Sequence, residues 1–418
     1  MLNFGLEMRD RFDDKEIEIP KNWIIAFHIL KSLLEKSKKK KKIIFLDELP
    51  WLDAPKSGCI AALENFWNGW ASWREDIKLI VCGSATSWII NKLIRNKGGL
   101  HNRITHRLLV SPFCLKECEE YFNSYGFRLS RMQVAECYMI MGGIPYYFSL
   151  MDKRESLAQN VDRLFFSKEG ELRDEFDNLY RSLFKNYQDY VKVIKALAEK
   201  GIGLTRQEML EKTGLENNGE FTRILEELEL CGFIRAYLPY NKKEISKGKA
   251  SRKSRFTLFQ LIDFYTLFYL RFHDRKTKQN EKFWSEMTNS SKINAWRGIT
   301  FEMLCLCQVE SIKKALGIGD VSANVCSWIG KHDDRNVQID LLIDRKDDVI
   351  NLCEMKFSFS EFVIDKEYAE KLETKTEVFM KETATHKTIL LTMITTKGLK
   401  PNRYSNMIQR QLILDELF

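Results

Sequence analysis

The chain has 418 residues, a length that predicts about two to four domains. Its hydrophobic content of 44% and charged content of 30% fit a globular protein. The net charge of +8 permits a nucleic-acid partner. No apolar stretch of the sequence is long enough to span a bilayer. The 10 cysteines include no C-x-x-C pair and the 6 histidines show no ligand spacing, so we expect a cytoplasmic protein without zinc or disulfides.

Secondary-structure patterns divide the chain into four segments, which predict an α/β multidomain protein. Residues 1–110 alternate helices and apolar strands, as α/β sheets do. Residues 111–185 read as helices, and residues 186–285 as short helices followed by two strands around a basic loop. Residues 286–418 mix helices and strands.

The first strong pattern is the apolar run 43–46, which is followed directly by Asp47 and Glu48. Such a run predicts a strand buried inside a parallel sheet, with two carboxylates at its carboxyl end. This is the Walker B arrangement of nucleotide hydrolases, in which the first carboxylate holds Mg²⁺ and the second orients a water. We therefore predict that Asp47 is a metal ligand and Glu48 a catalytic residue, and we call the two the Walker B pair.

The phosphate-binding loop G-x-x-x-x-G-K-[ST], which normally precedes a Walker B strand, does not occur in the sequence. The two Gly-Lys pairs, Gly248-Lys249 and Gly330-Lys331, are followed by neither Ser nor Thr. We expect that the chain begins between the two motifs, either through a true deletion or through a misassigned start. Loss of one preorganised donor costs about 3 kcal/mol, so loss of the whole loop is expected to abolish hydrolysis.

A second apolar run, 78–82, ends at Gly83 and Ser84. Two strands joined by a helix, with polar residues at both carboxyl ends, form the usual site of an α/β sheet. Ser84 is therefore expected beside the Walker B pair, where it would sense a γ-phosphate or hold the attacking water. The intervening segment 57–73 has helical spacing, and we expect its three tryptophans in the core.

Four longer runs carry a resemblance to a known family. They are Asp47-Glu48-Leu49-Pro50-Trp51-Leu52, Leu63-Glu64-Asn65-Phe66-Trp67-Asn68, Cys82-Gly83-Ser84-Ala85-Thr86-Ser87-Trp88 and Gly142-Gly143-Ile144-Pro145-Tyr146. The chain resembles a prokaryotic ATPase family that is similar to the signal-transduction branch of the AAA+-like P-loop ATPases and carries a nuclease-like C-terminal domain. The resemblance covers nearly the whole chain.

The resemblance implies a fold and roles for several residues. Residues 1–110 would be a partial P-loop ATPase core and residues 111–185 a helical lid. Ser84 would be a sensor beside the Walker B pair, and Gly143 and Pro145 would match a G-x-P element that contacts the nucleotide from the lid. Arg103 would be a phosphate-sensing arginine. ATP and Mg²⁺ are the implied cofactors.

The segment 186–285 has the pattern of a winged helix-turn-helix. Three short helices are predicted, and strands are predicted at 232–238 and 256–258. Thr205 is a plausible N-cap for the second helix, and Glu208 completes a capping box three residues later. The third helix would read DNA with residues near its start, among them Arg223.

The segment 241–255 between the two predicted strands, called the wing, is strongly basic. Its seven cations are Lys242, Lys243, Lys247, Lys249, Arg252, Lys253 and Arg255. These side chains could contact phosphates on either side of a groove. Glu226, Glu227 and Glu229 on the third helix would instead repel a duplex, so a packing role for this domain remains the alternative.

The last segment contains the acids and the lysine of a nuclease-like site. The strand 337–343 alternates, which predicts one face with Val337, Ile339, Leu341 and Ile343 and an opposite face with Gln338, Asp340 and Leu342. The strand 350–357 places Leu352, Glu354 and Lys356 on one face. If these strands form a hairpin, Asp340 and Glu354 converge, with Lys356 beside them.

This D-(x)ₙ-E-x-K pattern resembles the PD-(D/E)xK nucleases, with Ile339 in place of the proline. The resemblance implies a restriction-endonuclease-like domain over residues 286–418, with Asp340, Glu354 and Glu302 as ligands of Mg²⁺ or Mn²⁺ and Lys356 as a catalytic residue. A hairpin with a surface Glu-Lys pair is the alternative, and the same fold also persists as a binding module.

Together these patterns predict an ATP-binding protein whose nucleotide site controls a DNA-associated winged helix and a nuclease-like domain. Because the phosphate-binding loop is absent, we expect that this chain does not hydrolyse ATP. One alternative is a Mg²⁺-dependent DNA-binding protein or nuclease that does not use ATP. The other is a non-enzymatic interaction module with vestigial sites. Double-stranded DNA is the predicted partner, a homo-oligomer is left open, and no membrane partner is expected.

Overall fold

The computed structural model describes residues 1–84, 86–89, 92–93, 99–100, 102–240, 256–273, 280–332 and 335–418. The chain forms two compact units, Met1–Val110 and Ser111–Phe418, and each has its own hydrophobic core. In the described part of the chain, no helix has both the length and the apolar character needed to cross a bilayer. The division of residues 111–418 into three domains stays a prediction.

The first unit is built on two parallel strands. Its elements are α1 (Leu2–Phe12), α2 (Trp23–Lys36), β1 (Lys42–Leu46), α3 (Leu49–Leu52), α4 (Cys59–Gly69), β2 (Ile77–Val81) and α5 (Thr86–Ile89). Strands β1 and β2 pair in parallel with Leu46 opposite Val81, which confirms the predicted strand, helix, strand unit. Helices α2 and α4 pack together, and the rings of Phe27 and Phe66 stack at 5.3 Å between them.

Two burial predictions for this unit are wrong. Strand β1 is buried on one face only, since Ile44 and Leu46 lie in the core whereas Ile43 is 67% exposed and Phe45 57% exposed. The helices of the unit cover one face of the two-stranded sheet, and the described residues leave the other uncovered. Trp73 is 83% exposed because it lies beyond the end of α4, in a short 3₁₀ turn.

The second unit begins with a helical layer. Its helices are α6 (Leu115–Ser124), α7 (Arg131–Met141), α8 (Pro145–Ser149), α9 (Leu157–Val161), which continues into a π-helical turn (Asp162–Phe166), and α10 (Glu175–Leu183). Aromatic side chains fill the space between them, and the ring centroids of Phe122 and Phe148 lie 4.8 Å apart in the core. This segment is helical, as the sequence predicts.

Three helices and a small antiparallel sheet follow. They are α11 (Tyr187–Ala198), β3 (Leu204–Thr205), α12 (Arg206–Thr213), α13 (Gly219–Leu230), β4 (Ile234–Tyr237) and β5 (Leu258–Leu261), with strand order β3-β5-β4. Thr205 caps α12 and forms the predicted capping box with Glu208. The wing lies outside the described residues.

The last part of the unit is a five-stranded sheet covered by helices. Its elements are α14 (Phe264–Phe272), α15 (Phe283–Met287), α16 (Ser291–Cys307), α17 (Val309–Ala315), β6 (Ala323–His332), β7 (Arg335–Arg345), β8 (Val349–Lys356), α18 (Lys366–Thr383), β9 (Thr388–Thr395) and β10 (Arg410–Ile413). The strand order is β10-β9-β8-β7-β6. Strands β6, β7 and β8 form an antiparallel meander, and α18 crosses over to the parallel strand β9.

The predicted alternation of strand β7 is wrong in its middle. The register between β6 and β7 shifts between Cys326 and Trp328, so that two residues of β7 oppose one residue of β6. Ile339 consequently packs in one cluster with Leu342, whereas Leu341 belongs to the core on the opposite face. The bulge therefore lies at Asp340 and Leu341, where the nuclease-like site was predicted.

Candidate functional site

The carboxyl ends of β1 and β2 bring together the polar residues of the first unit. Both oxygens of the Glu48 carboxylate accept hydrogen bonds from Ser84, one from the backbone N–H at 3.0 Å and one from Oγ at 3.1 Å. The Cys82 thiol donates to Asp47 Oδ1 at 2.6 Å. The predicted proximity of Ser84 to the Walker B pair is confirmed, and Cys82 is a member of the cluster that the sequence had not indicated.

The backbone around this cluster is tightly constrained. Glu48 has a φ of 46°, in the left-handed region that residues other than glycine rarely adopt. Gly83 lies against Pro50, and a Cβ on Gly83 would be 2.6 Å from the Pro50 Cδ. A side chain at this position would force Pro50 to shift, so glycine suits the close contact between the two runs.

The Asp47 carboxylate has one oxygen that is available to a cation. Its Oδ1 accepts from the Cys82 thiol and from the Glu48 N–H, the latter at 3.0 Å. No described residue donates a hydrogen bond to its Oδ2. Burial raises the pKa of the Cys82 thiol, and the hydrogen bond to Asp47 raises it further, so the thiol remains a donor at neutral pH. The role of Asp47 as a ligand of Mg²⁺ stays a prediction.

The other predicted nucleotide contacts are Arg103 in the first unit and Gly143 and Pro145 in the second. The Arg103 N–H donates to the Leu100 carbonyl at 3.1 Å. Gly143 belongs to the second unit, where its carbonyl accepts from the Phe113 N–H at 2.7 Å, and a Cβ there would be 2.1 Å from the Phe113 oxygen. Pro145 begins α8. Close packing against Phe113 thus explains why glycine occupies position 143. The role of Gly143 in nucleotide binding stays a prediction.

Strands β7 and β8 pair as the predicted hairpin, with Leu341 opposite Cys353. The pairing ends there, at the bulge of β7, but Asp340 and Glu354 both lie close enough to Glu302 to influence its carboxyl electrostatically. Lys356, two residues further along β8, contacts Glu302 of α16 with an Nζ–Oε1 distance of 3.2 Å. Burial raises the pKa of Glu302, and the neighbouring Lys356 partly offsets this effect.

Each predicted metal ligand of this site has a partner in the protein. Glu354, whose side chain is 9% exposed, forms an ion pair with Lys375 and accepts a hydrogen bond of 3.3 Å from the Tyr368 hydroxyl. Asp340 accepts a short hydrogen bond from the Gln338 amide. Among the described residues, no three His, Cys, Asp or Glu side chains are grouped so as to hold a metal.

Tyr368 and Lys375 were missed by the sequence reasoning. Both lie on α18, seven residues apart and therefore on the same face of a helix. The spacing was visible in the sequence, but nothing in it indicated that this face would meet the acid of β8. The crossover of α18 between β8 and β9 decides that contact.

The predicted DNA-reading residue Arg223 lies on α13 and forms an ion pair with Glu220, three residues earlier. Arg206 of α12 extends across to the same helix and donates to the Thr222 hydroxyl at 3.1 Å. The wing cations Lys242, Lys243, Lys247, Lys249, Arg252, Lys253 and Arg255 lie outside the described residues. DNA binding by this domain stays a prediction.

Comparisons with known proteins give distant similarities. No family model matches the chain. An uncharacterized protein of Methanocaldococcus jannaschii is 25% identical over 233 residues, which are 56% of this chain, and the chain spans about half (49%) of that relative's length. Among solved structures, a Walker-type ATPase of Pyrococcus abyssi is similar with a TM-score of 0.41 and 17% identity, over 64% of this chain and 75% of that one.

Proposed function

We propose that the first unit binds a Mg²⁺–nucleotide at the Walker B pair. The observation that carries the proposal is the double hydrogen bond of Ser84 to Glu48 at the carboxyl edge of a parallel strand pair. Mg²⁺ would be held by Asp47 Oδ2. A phosphate that binds Ser84 would release the Glu48 carboxylate, which could then orient a water.

Mg²⁺ and ATP together are expected to stabilise the first unit against unfolding. A ligand at 100 times its Kd adds about 2.7 kcal/mol to the free energy of unfolding. The gain should vanish in Asp47→Ala, because that variant lacks the metal ligand, and should persist in Asp10→Ala, which removes an exposed carboxylate of α1. Melting followed by circular dichroism measures it, and an equal gain in Asp47→Ala would contradict the proposed site.

The nucleotide site would control a DNA-contacting domain in residues 186–285. This part of the proposal is supported by the three helices α11, α12 and α13, by the sheet β3-β5-β4, and by the seven cations of the wing in the sequence. The third helix offers little positive charge, since Arg223 is paired. The wing would therefore supply most of the phosphate contacts.

DNA affinity is expected to fall with salt in proportion to the number of phosphates that the wing contacts. Three to five contacts predict a log–log slope of roughly −3 to −4.5. Replacing Lys242 and Lys243 by alanine should reduce the magnitude of this slope by about 1.8. The control Lys366→Ala, on the exposed surface of α18, should leave the slope unchanged. Fluorescence anisotropy of a labelled duplex measures the slope, and a flat salt dependence would eliminate DNA contact by the wing.

A second candidate function is metal-dependent cleavage of DNA by residues 286–418. It is supported by the pairing of β7 with β8, by the electrostatic influence of Asp340 and Glu354 on the Glu302 carboxyl, and by the contact of Lys356 with Glu302. These residues are three carboxylates and a lysine, the types that suit Mg²⁺ or Mn²⁺ and the activation of a water. The described carboxylates are not grouped as a metal site, so they would have to move together when a metal binds. Because Lys375 pairs with Glu354, binding of a metal would require this ion pair to open. If neither nucleotide binding nor DNA cleavage is observed, the remaining hypothesis is that the chain is a non-enzymatic interaction module.

A further inference from the structure

A cavity of about 670 Å³ lies within the second unit, beside the nuclease-like site. Its walls come from α11, β5, α14, α16 and β7, so it lies where the three-helix segment meets the five-stranded sheet. This volume is in the range of about 300–1,000 Å³ that is typical of small-molecule sites. The lining is mainly apolar and includes Leu261, Leu267, Met303 and Leu306.

One buried donor in the cavity wall has no hydrogen-bond partner among the described residues. Trp296 is 4% exposed, and its indole Nε1–H meets no hydrogen-bond acceptor among the described residues. The ring is held by edge contacts with Phe268, Phe272 and Trp284, at centroid distances of 5.4 to 5.6 Å. Buried donors in proteins are almost always satisfied by protein groups, ordered water or a ligand, so this N–H would gain from an acceptor atom brought by either of the last two.

The polar residues of the cavity carry both signs of charge, in different places. Glu302 and Asp340 supply carboxylates from α16 and β7, on the side of the nuclease-like residues. Lys195 and Arg271 are exposed, and neither forms an ion pair with another described residue. The carboxylates suit amino groups of a ligand, whereas the exposed cations suit an anionic group that remains near solvent.

We propose that this cavity binds a single nucleotide, with the base inside and the phosphate at the mouth. A nucleobase is planar and apolar on its faces, has ring acceptors for the Trp296 N–H, and in most cases has amino groups for Glu302 or Asp340. The phosphate meets Lys195 and Arg271. Glu302 and Asp340 already have the partners Lys356 and Gln338, but a purely apolar ligand would offer nothing to the Trp296 N–H or to the two basic residues. A cationic ligand would be repelled by Lys195 and Arg271.

The proposal deepens the nuclease candidate, since Glu302 and Asp340 belong to both sites. A nucleotide taken out of a DNA strand would occupy the cavity while the adjoining phosphate faced the acids of β7 and β8. Binding of a free nucleotide requires no cleavage, however, and can be measured in EDTA. The two proposals can therefore fail independently of one another.

The test is calorimetric titration of the full chain, in EDTA, with AMP, GMP, CMP and UMP and with the corresponding nucleosides. At least one monophosphate is expected to bind, and its nucleoside more weakly, because the phosphate contacts are lost. Trp296→Phe keeps the packing but removes the N–H, and should weaken binding about 2- to 10-fold.

Two variants that fill the cavity provide the decisive comparison. A Cβ on Gly201 has Ile299 Cγ2 at 3.8 Å as its nearest neighbour, so Gly201→Leu extends into the cavity without backbone strain and should weaken binding at least about tenfold. Ile299→Trp fills the mouth from α16 and should have the same effect. Gly219→Leu is the matched control, because a Cβ there meets open space outside the cavity.

Three results would overturn the proposal. They are no binding of any monophosphate at millimolar concentration, unchanged affinity in both filling variants while circular dichroism shows them folded, and loss of binding in Asp47→Ala, which would place the nucleotide in the first unit. Binding without DNA cleavage would leave the cavity site standing and would remove only the nuclease candidate.

Discussion

Replacing Arg297 by methionine is expected to lower the free energy of unfolding of the second unit by about 3–5 kcal/mol. Arg297 is 3% exposed. Its Nε lies 2.7 Å from a carboxylate oxygen of Glu136, and its other nitrogens donate to Thr288 and Asn294. The change would leave Glu136 buried without its cation, at the contact between α7 and α16.

Urea unfolding followed by circular dichroism measures this loss. The control is Lys371→Met, which breaks an exposed ion pair with Glu367 on α18 and is expected to have no measurable effect. The double variant Arg297→Met/Glu136→Leu should recover part of the loss, since it removes both charges together. If Arg297→Met unfolds at the same urea concentration as the unmodified chain, the buried pair does not hold the two helices together.

Replacing Glu354 by glutamine or Lys356 by methionine is expected to reduce metal-dependent nicking of DNA at least about a hundredfold. Glutamine keeps the shape of Glu354 but removes the charge that would hold Mg²⁺ or Mn²⁺. Methionine keeps the stem of Lys356 but removes the amine that would orient or deprotonate the attacking water. Conversion of supercoiled plasmid to the open circle, with and without EDTA, measures the activity.

The matched controls for these variants lie on the exposed surface of α18. Glu370→Gln and Lys366→Met change the members of a solvent-exposed pair and should leave the nicking rate unchanged. Nicking that survives both Glu354→Gln and Lys356→Met would show that the cleavage arises elsewhere, or from a contaminant. A chain that never nicks DNA would leave this domain as a binding module.

Local signals in the sequence were sufficient for the elements and for the first cluster. The apolar runs predicted β1 and β2, and parallel pairing then required Asp47, Glu48 and Ser84 to lie at one edge. The Thr205–Glu208 capping box was equally local, because its donors and acceptors are separated by three residues. Interactions of this kind depend on residues that are close in sequence or on strands of obvious register.

The tertiary structure alone decided which surfaces are covered and which charges are paired. Burial of both faces of β1 was predicted from its composition, but Ile43 and Phe45 are exposed because burial depends on what packs against a strand. The pairing of Glu354 with Lys375, and the bulge at Asp340, depend on helices and strands that are distant in sequence. From the sequence alone the acids of the candidate sites could be named; their partners, and the cavity beside Glu302, follow only from the packing of separate elements, which no local pattern encodes.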